Sequence, residues 1–146
     1  MKYKDASSTY KETTIKTAAP GQLIVMLYDE GIKQLTKAVE LLQKNQDGKK
    51  DPGKIEQISK AVMKTEEIIT ELMISLDFEQ GGEIAKQLFS LYTWFNRELL
   101  EANISQDVDR IIAVKNMLLE LRNSWNTISQ TASQPIREAA GINIAG

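Results

Sequence analysis

The side chains best placed to do chemistry are the carboxylates of Glu66, Glu67 and Glu71, close enough in sequence to suggest a general acid/base pair or a metal site. The rest of the chain does not support either use. It contains no histidine and no cysteine, which removes Ser-His and Cys-His catalysis, the thiol nucleophile, the commonest metal ligand and the usual proton carrier near neutral pH. A di-metal site of the ferritin type needs inward-facing Glu together with Glu-x-x-His motifs, and those cannot be built here. The pair Gly81-Gly82 lacks the Lys-Ser or Lys-Thr of a phosphate-binding loop and the strand before it, so it reads as a turn device. The acidic cluster reads as a solvated helix face. No enzyme activity, cofactor or metal is expected.

Without catalytic chemistry, the remaining functional question is which surface the elements present. At 146 residues the chain has the length of one domain. Its 42% apolar and 26% charged residues are ordinary for a soluble globular protein. The apolar run from Leu23 to Leu27 falls far short of the roughly 18 residues needed to span a bilayer. No apolar stretch follows the first residues as a secretory signal would require, so a cytoplasmic location without membrane insertion is expected. A net charge of −2 argues against nucleic acid as a partner, and Lys49-Lys50 reads as a solvated turn.

Residues 1–19 are rich in Ser, Thr and Lys, with Tyr3, Tyr10 and Ile15 isolated among them, and read as a flexible N-terminal arm. Pro20 suits the first turn of a helix, and the spacing predicts a first helix to about Lys44 through Ile24, Leu27, Gly31, Leu35, Ala38 and Leu42. Gly31 inside that stripe is either a close-approach point or a tolerated cost of about 1 kcal/mol. Asp51-Pro52 supplies a cap and a first helical proline. The second helix continues from it through Ile55, Ile58, Val62, Thr65, Ile69, Leu72 and Leu76. The stretch Asp77 to Gly82 breaks the pattern. Asp77 is expected to accept backbone N–H bonds there, with Gly81 and Gly82 allowing close packing. The third helix then takes up Ile84, Leu88, Leu91, Phe95, Leu99 and Ala102. The fourth carries Val108, Ile111, Val114, Leu118, Leu121, Trp125 and Ile128, fraying near Thr131 before Pro135. The fold class is all-α, an antiparallel up-down-up-down four-helix bundle over 20–131, with 132–146 a flexible or short helical tail.

Parts of these helices are apolar over a wider arc than one core face uses. Ile68 and Met73 stand beside the main stripe of the second helix, and Ile112, Met117 and Leu119 beside that of the fourth. Such width suits either a thicker core or a groove for another helix, where Met makes adaptable contacts.

Three groups of residues, in order, carry a family resemblance. The first is Tyr10 with Thr17-Ala18-Ala19-Pro20-Gly21-Gln22-Leu23-Ile24-Val25-Met26-Leu27-Tyr28-Asp29. The second is Glu71-Leu72-Met73-Ile74-Ser75-Leu76-Asp77 with Glu79, Gly81-Gly82-Glu83-Ile84-Ala85, Leu88 and Leu91-Tyr92. The third is Leu99-Leu100-Glu101-Ala102-Asn103 with Leu118-Leu119-Glu120-Leu121-Arg122-Asn123-Ser124-Trp125. Over about residues 10–128 the chain resembles the flagellar secretion chaperones known as FliS.

The resemblance implies a non-enzymatic export chaperone that binds the C-terminal segment of flagellin. It would prevent premature polymerisation and aid delivery to the flagellar type III export apparatus. It also implies that the arm caps part of the binding surface through Tyr10 and Ile15 and moves aside for flagellin. Leu23, Leu27 and Tyr28 either line that surface or anchor the first helix in the core. Tyr92 and Trp125 are binding anchors or buried rings with satisfied polar tips, and Ile68, Met73 and Leu91 complete the candidates. An export-gate component and co-chaperones are further partners, and an unfilled groove could pair two copies into a homodimer. The alternative is a structural bundle that self-associates or binds another amphipathic helix.

Overall fold

The computed structural model describes residues 20–46 and 51–138. Four helices account for them: α1 Pro20–Gln46, α2 Pro52–Ile74, α3 Phe78–Ser105 and α4 Val108–Glu138, with no strand among the described residues. The expected arm, the Lys49-Lys50 turn and the end of the chain from 139 lie outside the described residues. The chain divides into two compact units, one formed by Leu27–Glu120 and the other by Met1–Met26 with Leu121–Gly146.

Within the unit Leu27–Glu120, each helix start carries its own stop-and-start signal. Asp51 caps α2 by accepting the Gly53 N–H at 2.9 Å, ahead of Pro52. The Asn45 side chain in turn accepts the Asp51 N–H at 2.7 Å, tying the end of α1 to the start of α2. Asp77 accepts the N–H groups of Glu79 and Gln80, each at 3.0 Å. Asp107 does the same for Asp109 and Arg110. Between α3 and α4 the chain turns through Gln106, whose φ of 56° is the left-handed conformation that closes a helix C-terminus.

Two hydrogen bonds fix the direction of α3 against α2. Ser59 Oγ donates to Asn103 at 3.0 Å, and Asn96 Nδ2 donates to Thr70 at 3.3 Å. Numbers rise along one helix as they fall along the other, so the pair is antiparallel. Gly31 of α1 faces Thr65 and Ile68 of α2 and Leu118 of α4. The four helices thus form the antiparallel all-α bundle that the periodicity predicts.

Its core holds Leu35, Ala38 and Leu42 from α1, and Ile58, Val62, Ile69 and Leu72 from α2. From α3 and α4 come Phe95, Leu99, Ile111, Val114 and Leu118, all essentially without solvent exposure. Each large apolar side chain among them contributes roughly 1.5–3 kcal/mol on burial. Thr65 is equally buried and satisfies its hydroxyl by donating to the Ala61 carbonyl of its own helix at 2.9 Å.

One open reading is narrowed and two local expectations are corrected. Gly31 is not held by crowding, because a methyl group placed on it would sit 3.7 Å from Ile68 and 3.8 Å from Thr65 and Leu118, ordinary contact distances. The buried stripe of α3 is Ala85, Tyr92, Phe95, Leu99 and Ala102. Ile84, eleven residues before Phe95 and so on the same face of the long run, nevertheless stands 67% exposed near the start of the helix. Finally, α4 continues past Thr131 and Pro135 to Glu138.

In the second unit, Pro20–Met26 begins α1 and residues 121–138 end α4. Val25 is buried there, and Met26 and Ile128 are exposed.

Candidate protein-binding surface

Of the candidate residues in the unit Leu27–Glu120, three belong to the core. Tyr28 and Tyr92 are buried, and their hydroxyls are 2.5 Å apart, sharing a hydrogen bond between α1 and α3. Burial raises the Tyr92 pKa above its ordinary 10.0, and the bond with Tyr28 partly opposes that rise. Ile68 is 8% exposed and faces α1. All three are positioned to hold helices together. Leu27, Met73 and Leu91 are half-buried, as are Leu23 and Trp125 in the other unit. Tyr10 and Ile15 lie outside the described residues.

Among the described residues no group of three or more Asp, Glu, His or Cys side chains is placed to hold a metal ion. Glu66 is half-buried, and partial desolvation raises its pKa above the usual 4.5.

What the bundle does expose is a set of large apolar side chains that its own core does not need. On α2 these are Met63 and Ile74, 56% and 58% exposed; on α3 they include Phe89 and Leu100, 42% and 51% exposed. Their placement is set by the two cross-helix bonds. Met63 and Ile74 each lie four residues after a bonded residue of α2, Ser59 and Thr70. Leu100 lies four residues after Asn96 and three before Asn103. In an antiparallel pair, residues rotated the same way from the contact line emerge on the same side of it. Met63 therefore comes near the level of Leu100, and Ile74 near that of Phe89, on the outer side of the α2–α3 seam.

The intervals from Met63 to Ile74 and from Phe89 to Leu100 are both eleven residues, or three helical turns and about 16 Å. Between these two apolar clusters the seam carries the polar Thr70–Asn96 bond. The result is a shallow groove suited to the apolar face of a helix.

At its Phe89 end the groove is closed by a turn. Phe78 lies edge-on to Phe89 with ring centroids 5.9 Å apart and planes at 62°, and is itself 47% exposed. Phe78 reaches that position because the first turn of α3 is interrupted at Gly82, whose φ of 50° and ψ of −125° are not helical. Gly82 has open space around it, so its requirement is backbone conformation and not room. Gly81 is the crowded glycine, since a Cβ there would meet the Ala85 Cβ at 2.9 Å.

Sequence reasoning missed Met63, Ile74, Phe89 and Leu100. Their signal is the eleven-residue interval repeated on two helices, each member offset from the buried stripe. It is obscured because a helix wheel alone does not phase Phe78 against Phe89 across the glycine break at Gly82.

A family model described as flagellar protein FliS matches residues 3–132. The flagellar secretion chaperone FliS of Salmonella typhimurium is 36% identical over 84% of this chain and 85% of its own length. The flagellar secretion chaperone FliS of Campylobacter jejuni is 34% identical over 88% of this chain and 96% of its own. The chaperone of the same name from Bacillus subtilis is 25% identical over 97% of this chain and 99% of its own.

Proposed function

The chain belongs to the FliS family, whose relatives are flagellar secretion chaperones, and we propose that it binds the C-terminal segment of flagellin in the cytoplasm. Binding holds flagellin unpolymerised and delivers it to the flagellar type III export apparatus. The observation that carries this reading is the exposed apolar groove of Met63, Ile74, Phe89 and Leu100 on a bundle whose core is already complete.

The physics of such a client explains the groove. A segment that will pack as coiled helices in a filament exposes apolar faces that self-associate if left free. An outer groove on a stable bundle covers one of those faces, and the client orders as it docks. Such a role needs no catalytic step. Among the described residues no helix is long and apolar enough to cross a membrane. An export-gate component and co-chaperones would meet the complex on other faces.

Titrating the purified protein with a peptide spanning the last flagellin helices tests the reading, with calorimetric heat and peptide helicity as readouts. Near-stoichiometric binding with a gain in helix supports it. A folded bundle that gives no heat and no helix gain overturns it. The same groove favours a second reading, self-association of two copies when no client is present. Sedimentation with and without the peptide separates them, because a client that occupies the groove dissociates such a dimer.

A further inference from the structure

The turn from Asp77 to Gly82 is more elaborate than a connection between antiparallel helices needs. Asp77 uses its carboxylate to hold the Glu79 and Gln80 N–H groups and its carbonyl to accept the Gly81 N–H at 2.7 Å. That fixes one short helical turn. At Gly82 the backbone takes φ 50° and ψ −125°, a combination that side-chain-bearing residues rarely adopt, and the long run of α3 begins beyond it. Gly81 lies against Ala85, which is buried, so the short turn folds back onto the main helix. Its outcome is the placement of one side chain, Phe78, edge-on against Phe89. Neither ring is in the core, since both remain close to half-exposed, and Ile74, near the level of Phe89, is exposed further.

We infer that Gly82 is a positioning residue for client binding: its non-helical backbone sets Phe78 against Phe89 as the end wall of the α2–α3 groove, against which the client helix stops. The inference rests on the proposal that the groove takes a flagellin helix. It deepens that proposal by saying what fixes the helix lengthwise. Without an end wall, an apolar helix on an apolar seam can slide by a turn at little cost. With one, a large side chain of the client meets two aromatic edges at one depth only.

The test is a double-mutant cycle read by calorimetric titration with the flagellin C-terminal peptide, using Phe78→Ala, Gly82→Ala and the two combined. Circular dichroism and thermal melting of each variant confirm that the bundle is folded. Phe78→Ala deletes the wall without touching the backbone, and Gly82→Ala keeps the ring but forbids its placement. Each single change is expected to weaken binding about tenfold. Because Gly82 acts through Phe78, adding Gly82→Ala to Phe78→Ala is expected to weaken it no further. Single variants that bind like the wild type while the wild type binds normally overturn the inference and leave the chaperone reading standing. Effects that simply multiply in the double variant also overturn it, because they show Gly82 acting independently of the ring. Failure of the wild type itself to bind the peptide refutes the underlying reading instead.

Discussion

The hydroxyls of Tyr28 and Tyr92 meet inside a core filled mainly by aliphatic and phenyl groups, and a buried hydrogen bond contributes about 0.5–1.5 kcal/mol net. Tyr92→Phe should therefore lower the unfolding free energy by about that amount in a urea melt. Adding Tyr28→Phe should then cost less than its effect alone, since the bond the two hydroxyls share is already gone. The pair also gives the fold an alkaline limit. Burial raises the Tyr92 pKa in the folded state, so its stabilising contribution is complete below the unfolded value of 10.0 and is lost as pH rises through the folded one. Stability of the wild type should fall above about pH 10, and Tyr92→Phe should fall less steeply over the same range. Glu66 shifts in the same direction through partial burial, so Glu66→Gln, which cannot ionise, should be slightly the more stable protein at pH 7. From sequence, Tyr28 and Tyr92 each admit both a client-facing and a core reading. Only the diagonal meeting of α1 and α3 decides between the two, and no local spacing encodes it.

At the scale of elements, the helices are legible because their signals are local. Asp51-Pro52 announces α2, Asp77 caps the turn that opens α3, and the stripe from Ile58 to Leu72 keeps one phase throughout. The phase of α3 is not legible across Gly82. The break rotates the long run of α3 relative to its first turn, and periodicity puts Ile84 on the face of Phe95, eleven residues on, although that face stands exposed at the start of the run. Gly31 is ambiguous for a different reason, because a helix-interior glycine signals close approach only when its neighbours are near, and sequence gives no neighbours. With 3.7 Å of clearance to the nearest of them, Gly31→Ala should raise stability by up to about 1 kcal/mol, seen as a higher melting temperature. Asp77→Ala should do the reverse by about 1 kcal/mol through the lost cap. A melt of that variant unchanged from the wild type would mean that the cap bonds contribute nothing net.

The whole molecule combines a completed core with an outer seam that is apolar at both ends and polar at its middle. That division explains why the resemblance reaches the family while the individual site residues are less accessible. A core position and a groove position on the same helix differ by a fraction of a turn, and a Met or Leu serves either. Charging the groove without touching the core should therefore separate the two roles: the double variant Met63→Asp, Leu100→Asp should melt near the wild-type temperature, because both side chains are more than half exposed, and should lose most of its affinity for the flagellin peptide. Whether the groove keeps flagellin from polymerising is measured by seeded elongation of flagellin filaments followed by light scattering, with the protein present at an equimolar ratio to flagellin. Elongation should stop with the wild type and proceed with the groove-charged variant; elongation at an undiminished rate in the presence of folded wild-type protein would contradict a client-holding role.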